Sequence, residues 1–442
     1  MRIANSSIPI MTAKQLVQLV QANRPALGPY EDLYKHFHSH PELSLQEVET
    51  AATIADHLRS IGGFEIHQHI GGHGVVGVLK NGSGQTVLLR ADTDALPVEE
   101  QTGLPYASKV TMKDNDGVVK PVMHACGHDM HITSLLAAAE LLHKTRQSWK
   151  GTLIALFQPA EERGAGAKAM VADGLYDKIP VPDIALGAHL MPYRAGTVGT
   201  KVGLMASAAD SFKITLFGRG GHASQPHRTI DPVVMAAQVV VRLQTIVSRE
   251  VGPDDTAVVT VGSVQAGQTE NIIADKAEIK VNIRTVDKQT RERVLASVRR
   301  IVKAECEASG AVKEPTFEPT SQFPFTVNDE QATAPLEDVF AQAFDHYDRD
   351  IPRLHGSEDF SILATSQNRP ASYWVYGGVD PEKWDAAEKA GRLQEDIPIN
   401  HSPFFAPVIQ PTLQTGVDSY ALAALSIMYD ASHSAVLTER HQ

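Results

Sequence analysis

Gly151-Thr152-Leu153-Ile154-Ala155-Leu156-Phe157 is a short apolar run without alternation, stopped by Gln158-Pro159 and followed by Ala160-Glu161-Glu162 and a helical pattern over Ala165 to Ala172. A strand with one face in water alternates polar and apolar residues. A run that stays apolar is buried on both faces, as in a sheet with helices above and below. Three more runs have this character: Val75-Val76-Gly77-Val78-Leu79, Thr86-Val87-Leu88-Leu89-Arg90 and Ile184-Ala185-Leu186-Gly187. Helical patterns surround them at Gln46 to Ser60 and Ile132 to Lys144, and Leu16, Val17, Leu19 and Val20 recur at helical spacing. Strands alternating with helices predict an α/β domain whose central sheet is mixed, largely parallel and covered by helices.

From about Asp210 the pattern changes. Ser211 to Phe217 alternates with period two, a helix is expected over Asp231 to Ser248, strand-like runs cover Thr256 to Val264 and Lys276 to Thr285, and a second helix fills Gln289 to Ala308. This β-α-β-β-α order predicts a smaller α+β, ferredoxin-like domain with an antiparallel sheet and helices on one face. After Phe325 a helix, a strand at Tyr373 to Tyr376 and a closing helix from Pro411 to Tyr429 return to the first pattern. A chain of 442 residues exceeds one hydrophobic core, so the expected organisation is a larger domain in two parts, 1–208 and 319–442, with 209–318 inserted. Asp114-Asn115-Asp116-Gly117 reads as a turn.

The net charge is −12 with Lys and Arg scattered, which argues against nucleic acid or an anionic membrane surface as partner. No apolar run reaches the ~20 residues of a membrane span. Met1 to Thr12 carries one basic residue and an apolar patch broken by Pro9, too little for a secretory signal. Two cysteines, Cys126 and Cys306, make no disulfide framework and suit a reducing compartment, so a cytoplasmic location is expected.

The chemistry concentrates after the strands. Met123-His124-Ala125-Cys126-Gly127-His128-Asp129-Met130-His131 gathers a thiol, three imidazoles and a carboxylate, and a Cys-x-His spacing lets two borderline-soft ligands reach one small cluster. Asp92 and Asp94 follow one strand and Glu161 and Glu162 another, at the edge where open α/β sheets bind ligands. If one glutamate of the pair holds a metal, its neighbour points elsewhere and is free to serve as general base. Read alone, the aspartate pair is a surface turn, the glutamate pair is equally two solvated residues at a helix start, and His189 and His401 are structural or exposed. Together, Cys126, His128, Glu162, His189 and His401 suffice for two divalent ions about 3.5–4 Å apart.

At this point the chain resembles the aminoacylase and carboxypeptidase family of two-metal amidohydrolases, in the branch of hippurate hydrolases, N-acyl-amino-acid hydrolases and plant auxin-conjugate hydrolases. The resemblance is carried by His38-Ser39-His40-Pro41-Glu42-Leu43-Ser44, Arg90-Ala91-Asp92-Thr93-Asp94-Ala95-Leu96-Pro97, His124 to Asp129, Pro159 to Glu162, Gly220-Gly221-His222-Ala223-Ser224, Gly356-Ser357-Glu358-Asp359-Phe360 and His401-Ser402-Pro403, in family order. It implies metal ligands Cys126, His128, Glu162, His189 and His401, with Cys126 where other branches place a bridging aspartate. It implies Glu161 as general base, and Asp92 and Asp94 behind the ligands. His124 and His131 are expected to orient rather than bind. Met130, Arg163 and His355 depart from the family pattern and bear on pocket shape.

In the inserted domain, His222 follows two glycines that permit close backbone approach, and the resemblance implies that it stabilises the tetrahedral intermediate. Asn271 and Arg284 correspond to residues that contact substrate, an arginine fork suiting a carboxylate. The expected reaction is hydrolysis of the amide of an N-acyl amino acid by a metal-bridging hydroxide, with Glu161 as base. Zinc is the expected ion, and manganese, cobalt or nickel are alternatives. A small-molecule substrate and a homodimer or homo-oligomer formed through the inserted domain are expected partners. Competing readings are a carboxypeptidase or dipeptidase, a binding protein on the same scaffold, and a hydrolase with Cys126 as nucleophile.

Overall fold

The computed structural model describes residues 11–115 and 117–429. Most of Met1 to Thr12, and Asp116 of the expected turn, lie outside the described residues. Of that turn, Gly117 N–H donates to the Asp114 carbonyl at 2.9 Å, between the strands Thr111–Lys113 and Val119–Pro121.

The described residues divide into two units, the first running to 205 and resuming over 327–352 and from 359 onward, the second comprising 206–326 with 353–358. In the first, the described residues form an eight-stranded sheet. Its order is Glu65–Ile70, Gly74–Asn81, Gly151–Gln158, Thr86–Asp92, Ile184–Arg194, Ala371–Val379, Thr197–Gly199 and His346–Asp348. The four strands from Gly151–Gln158 to Ala371–Val379 are mutually parallel and the flanking pairs are mixed. Gly151–Gln158, Thr86–Asp92 and Ala371–Val379 are almost wholly buried, as is the first half of Ile184–Arg194, as uninterrupted apolar runs require. Helix Ala13–Asn23 starts with a capping box, Thr12 and Gln15 each bonding the other's backbone N–H. Helix His128–Lys144 is buried nearly all round and packs against helix Ile409–Met428.

Register positions the site. Asp92 pairs with Gln158, and Arg90 with Gly187, so two residues further Asp92 stands level with His189. Gly127 then lets His128 start its helix close to the sheet. Its φ is +86°, and a Cβ there would stand 2.7 Å from Leu190 Cδ2.

In the second unit a four-stranded antiparallel sheet has the order Ala257–Ala266, Lys276–Thr285, Ala208–Phe217, Thr316–Phe323, packed against helices Pro232–Arg249 and Lys288–Ala308. The sheet extends beyond the expected 209–318 because Thr316–Phe323 is a fourth strand, making the order β-α-β-β-α-β. Pro319 and the polar composition hide it in the sequence, and an edge position tolerates both.

Candidate metal centre

Cys126, His128, Glu161, Glu162, His189 and His401 converge at the C-terminal edge of the parallel strands in the first unit. Ligand atoms of Cys126, His128 and His189 lie within 4.8 Å of one another, and so do those of Cys126, Glu162 and His401, and of His128, Glu161 and Glu162. Cys126, His128 and Glu162 each belong to two of these groups, and Cys126 alone joins the His128–His189 pair to the Glu162–His401 pair, the position from which one ligand can serve two ions.

Backbone partners orient the imidazoles. His128 Nδ1 donates to the Asp94 carbonyl at 2.8 Å and His189 Nδ1 to the Leu190 carbonyl at 2.6 Å. Each ring thereby turns Nε2 into the cluster, that of His189 standing 3.5 Å from Cys126 Sγ. His131 differs: its Nε2 accepts the Leu190 N–H at 2.7 Å, so its proton is on Nδ1, donated to Asp92 at 2.5 Å. Although His131 lies near Asp92 and His128 in a fourth candidate group, both its nitrogens are committed, which makes it an orienting residue. His401 stands at the mouth, its side chain 54% exposed and its Nε2 3.3 Å from Glu162 Oε1. It has a left-handed backbone, φ +69°. Its N–H donates to the Ala125 carbonyl, and Asn400 Nδ2 donates to the carbonyls of Cys126 and Leu190, both at 3.2 Å, tying this segment to the Cys126 loop.

Asp92 and Asp94 support the cluster from behind. Asp92 accepts from buried Arg90 at 2.7 Å, and Arg90 also donates to Gln158 at 2.9 Å and Asp359 at 3.4 Å. Asp94 accepts from Ser44 Oγ at 2.6 Å and from the Glu162 N–H at 3.1 Å. Burial works to raise Asp92, yet His128, Arg90 and His131 hold it well below the usual carboxylate range.

The cluster fits divalent ions. His128 Nε2 and Glu162 Oε1 are buried without a hydrogen-bond partner and stand 3.9 Å apart. Burial alone would lower the His128 imidazole, but Asp92, Asp94 and Glu162 push it up to about 10. Burial, then Glu162, Glu161 and Asp92, hold the Cys126 thiol well above its usual range. Both shifts report a field that favours added positive charge, and a thiol, imidazoles and a carboxylate are the donor set that borderline divalent ions take.

Several residues of this site had no role assigned from the sequence, although His38, Arg90, Asp129 and Asp359 stand in the motifs that carry the resemblance. His38 Nδ1 lies 2.7 Å from Asp129 and its Nε2 3.0 Å from Glu100, all three side chains buried, so a positive imidazole is held between two carboxylates. Burial would lower His38, but Asp129 and Glu100 push it up to about 9. Arg90, Gln158 and Asp359 form the network beneath Asp92, and Glu47 grips the backbone before Glu161.

His222, Asn271 and Arg284 belong to the second unit. Gly221–His222 pairs with Ile272–Ile273, and Ala223 N–H donates to the Asn271 carbonyl at 3.1 Å, so His222 and Asn271 are neighbours. Ser224 N–H donates to His222 Nδ1 at 3.1 Å, so Nδ1 of this exposed ring acts as an acceptor and Nε2 is the nitrogen that carries the proton. Arg284 Nη1 donates to the His355 carbonyl at 3.2 Å and to Ser357 Oγ at 3.1 Å.

Comparison with known proteins adds three findings. Residues 88–397 match the model of peptidase family M20/M25/M40. The chain is 41% identical over 340 residues to hippurate hydrolase of Campylobacter jejuni, covering 76% of this chain and 85% of that one, and 39% identical over 310 residues to N-acyl-L-amino acid amidohydrolase of Geobacillus stearothermophilus, covering 70% and 80%. A crystal structure of a dinuclear metal-binding peptidase of family M20 from Bacillus subtilis superposes with a TM-score of 0.69 at 29% identity, over 90% of this chain and 98% of that one.

Proposed function

The chain belongs to peptidase family M20/M25/M40 and is a metal-dependent amidohydrolase, and on that premise we propose that it cleaves the amide of N-acyl amino acids. The observation that carries the reading is that Cys126 joins the group with His128 and His189 to the group with Glu162 and His401, in a cluster that opens to solvent at His401. Cys126, His128, Glu162, His189 and His401 would hold two divalent ions, with zinc favoured by the thiolate and manganese, cobalt or nickel as alternatives. Bound there, such ions polarise the scissile carbonyl and make water more acidic.

Glu161 is the base. Its carboxylate is 5% exposed and adjoins His128 and Glu162, so it takes the proton of the attacking water and passes it to the leaving amine. His222 is the oxyanion donor in this reading, supported by the Nε2–H tautomer that Ser224 imposes. Asn271 and Arg284 are assigned to the substrate carboxylate. With Nη1 of Arg284 bonded to His355 and Ser357, the rest of the fork is left for that anion.

The test is a panel of N-acyl amino acids and dipeptides, assayed after chelation and restoration of one metal at a time. Acyl amino acids are expected to be hydrolysed only with metal, and Arg284→Ala to raise KM about 10–100-fold with little change in kcat. Turnover of dipeptides alone would favour the carboxypeptidase reading, and turnover that survives complete chelation would overturn the metal mechanism.

A homodimer through the second unit is the proposed assembly. Val233, Val234 and Val241 are exposed on helix Pro232–Arg249, with Val241 67% exposed, and that helix packs on strand Ala257–Ala266, which is an edge of its sheet. Light scattering is expected to give twice 47.8 kDa for the wild type and the single mass for Val234→Glu/Val241→Glu. A monomeric wild type would sink the proposal. No helix among the described residues is long and apolar enough to cross a membrane. A cytoplasmic location, proposed because both cysteines are free thiols, is checked by cell fractionation.

A further inference from the structure

Ala160 has a left-handed backbone, φ +51° and ψ 37°, although it is not glycine, so its conformation is imposed by its surroundings. It opens the three-residue 3-10 turn Glu161–Arg163. Glu47, fully buried, supplies one of the constraints. Its Oε1 accepts the Ala160 N–H at 2.8 Å and the Leu45 N–H at 3.0 Å. The Ala160 carbonyl is fixed in turn by the N–H groups of Ala165 and Gly166, at 3.3 and 3.2 Å. Gly166 is needed for this approach, since a Cβ there would stand 1.6 Å from the Pro159 oxygen. Two residues on, the Glu162 N–H is held at 3.1 Å by Asp94, and the same Asp94 oxygen accepts from Ser44 Oγ at 2.6 Å.

The segment Ser44–Glu47 therefore grips the turn on both sides of Glu161, directly at residue 160 and through Asp94 at residue 162. A 3-10 turn rotates successive side chains by about 120°, so rotating the backbone at Ala160 swings Glu161 and Glu162 together. We infer that Glu47 is a positioning residue that sets the aim of both glutamates. The inference rests on the proposed roles of Glu161 as base and Glu162 as ligand. Glu47 itself is neither: it acts through one backbone N–H.

The test compares wild type, Glu47→Ala and Glu47→Gln, each loaded with cobalt and assayed on the best substrate of the acyl amino acid panel. Glutamine keeps an acceptor oxygen for Ala160 and Leu45; alanine removes it. Glu47→Ala is expected to lower kcat about 10²-fold with KM within about threefold, the loss that a misplacement of roughly 1 Å produces. Its cobalt absorption bands are expected to shift as Glu162 moves. Glu47→Gln is expected to restore both the rate and the wild-type cobalt spectrum, which general destabilisation would not explain. Should Glu47→Ala fail to fold, Glu47→Asp, one methylene too short to reach Ala160, takes its place with the same expectations. The inference is overturned if the truncated variant has the wild-type rate and spectrum, or if glutamine is as impaired as alanine. A wild type that binds no cobalt and cleaves no acyl amino acid overturns the proposed function instead. A wild type that does both beside an indifferent Glu47→Ala overturns only this inference.

Discussion

Glu161→Gln is expected to keep both divalent ions and lose turnover about 10²–10⁴-fold, the range that removal of a positioned general base produces. The two adjacent glutamates make this a sharp comparison. Both stand on the turn Glu161–Arg163, both adjoin His128, and both contribute to the field that raises the Cys126 thiol. Yet only Glu162 shares a group with Cys126 and His401 and has its backbone N–H held by Asp94. Glu162→Gln should therefore release metal, whereas Glu161→Gln should release none, and metal analysis after dialysis separates the two. His222→Ala provides a third signature. Loss of one oxyanion donor should reduce kcat about 10²–10³-fold with metal content intact. Full activity in Glu161→Gln would remove it as the base, and metal loss in the same variant would make it a ligand.

How far the sequence reveals this site depends on the distance over which each signal acts. The central strands are legible because burial on both faces leaves an unbroken apolar run, as in Thr86–Asp92. Cys126-x-His128 is legible because two candidate ligands sit in one turn. Strand Thr316–Phe323 is not, since an edge strand needs no apolar pattern, and helix Gly28–Ser39, which carries His38, has a composition too mixed to announce itself. The supporting charges are the least legible. Arg90 finds Asp359 269 positions away and Ala160 finds Glu47 113 positions away, and nothing local in either residue names its partner. His189 and His401 lie between these cases. Position after a strand suggests them and the family resemblance assigns them, while in the fold a parallel register and the Asn400 bonds bring them to Cys126.

Replacing Cys126 should remove more than any other single ligand. His189 and His401 each belong to one group only, and His128 and Glu162 meet only in the group that they share with Glu161, so loss of any of these four leaves a partial site for at least one ion. Cys126 alone is common to the group with His128 and His189 and the group with Glu162 and His401. Cys126→Ala is therefore expected to lower occupancy of both sites and to reduce kcat/KM well beyond the about 10–100-fold typical of losing an outer partner of a metal ligand. Cys126→Asp tests the same idea from the other side. A carboxylate can bridge two ions, so this variant should recover metal that alanine loses, with a preference shifted toward harder ions such as manganese. Oxidation by peroxide should reproduce the alanine phenotype, because a sulfinate no longer offers the thiolate. The second thiol supplies the control: Cys306 lies in the core of the other unit, its thiol pushed up to about 11 by burial first and then Glu314, so Cys306→Ser should leave peroxide sensitivity unchanged. Metal analysis and kcat/KM on the same samples decide the matter. If Cys126→Ala retained two ions and more than a tenth of the wild-type activity, the shared-ligand assignment would be wrong.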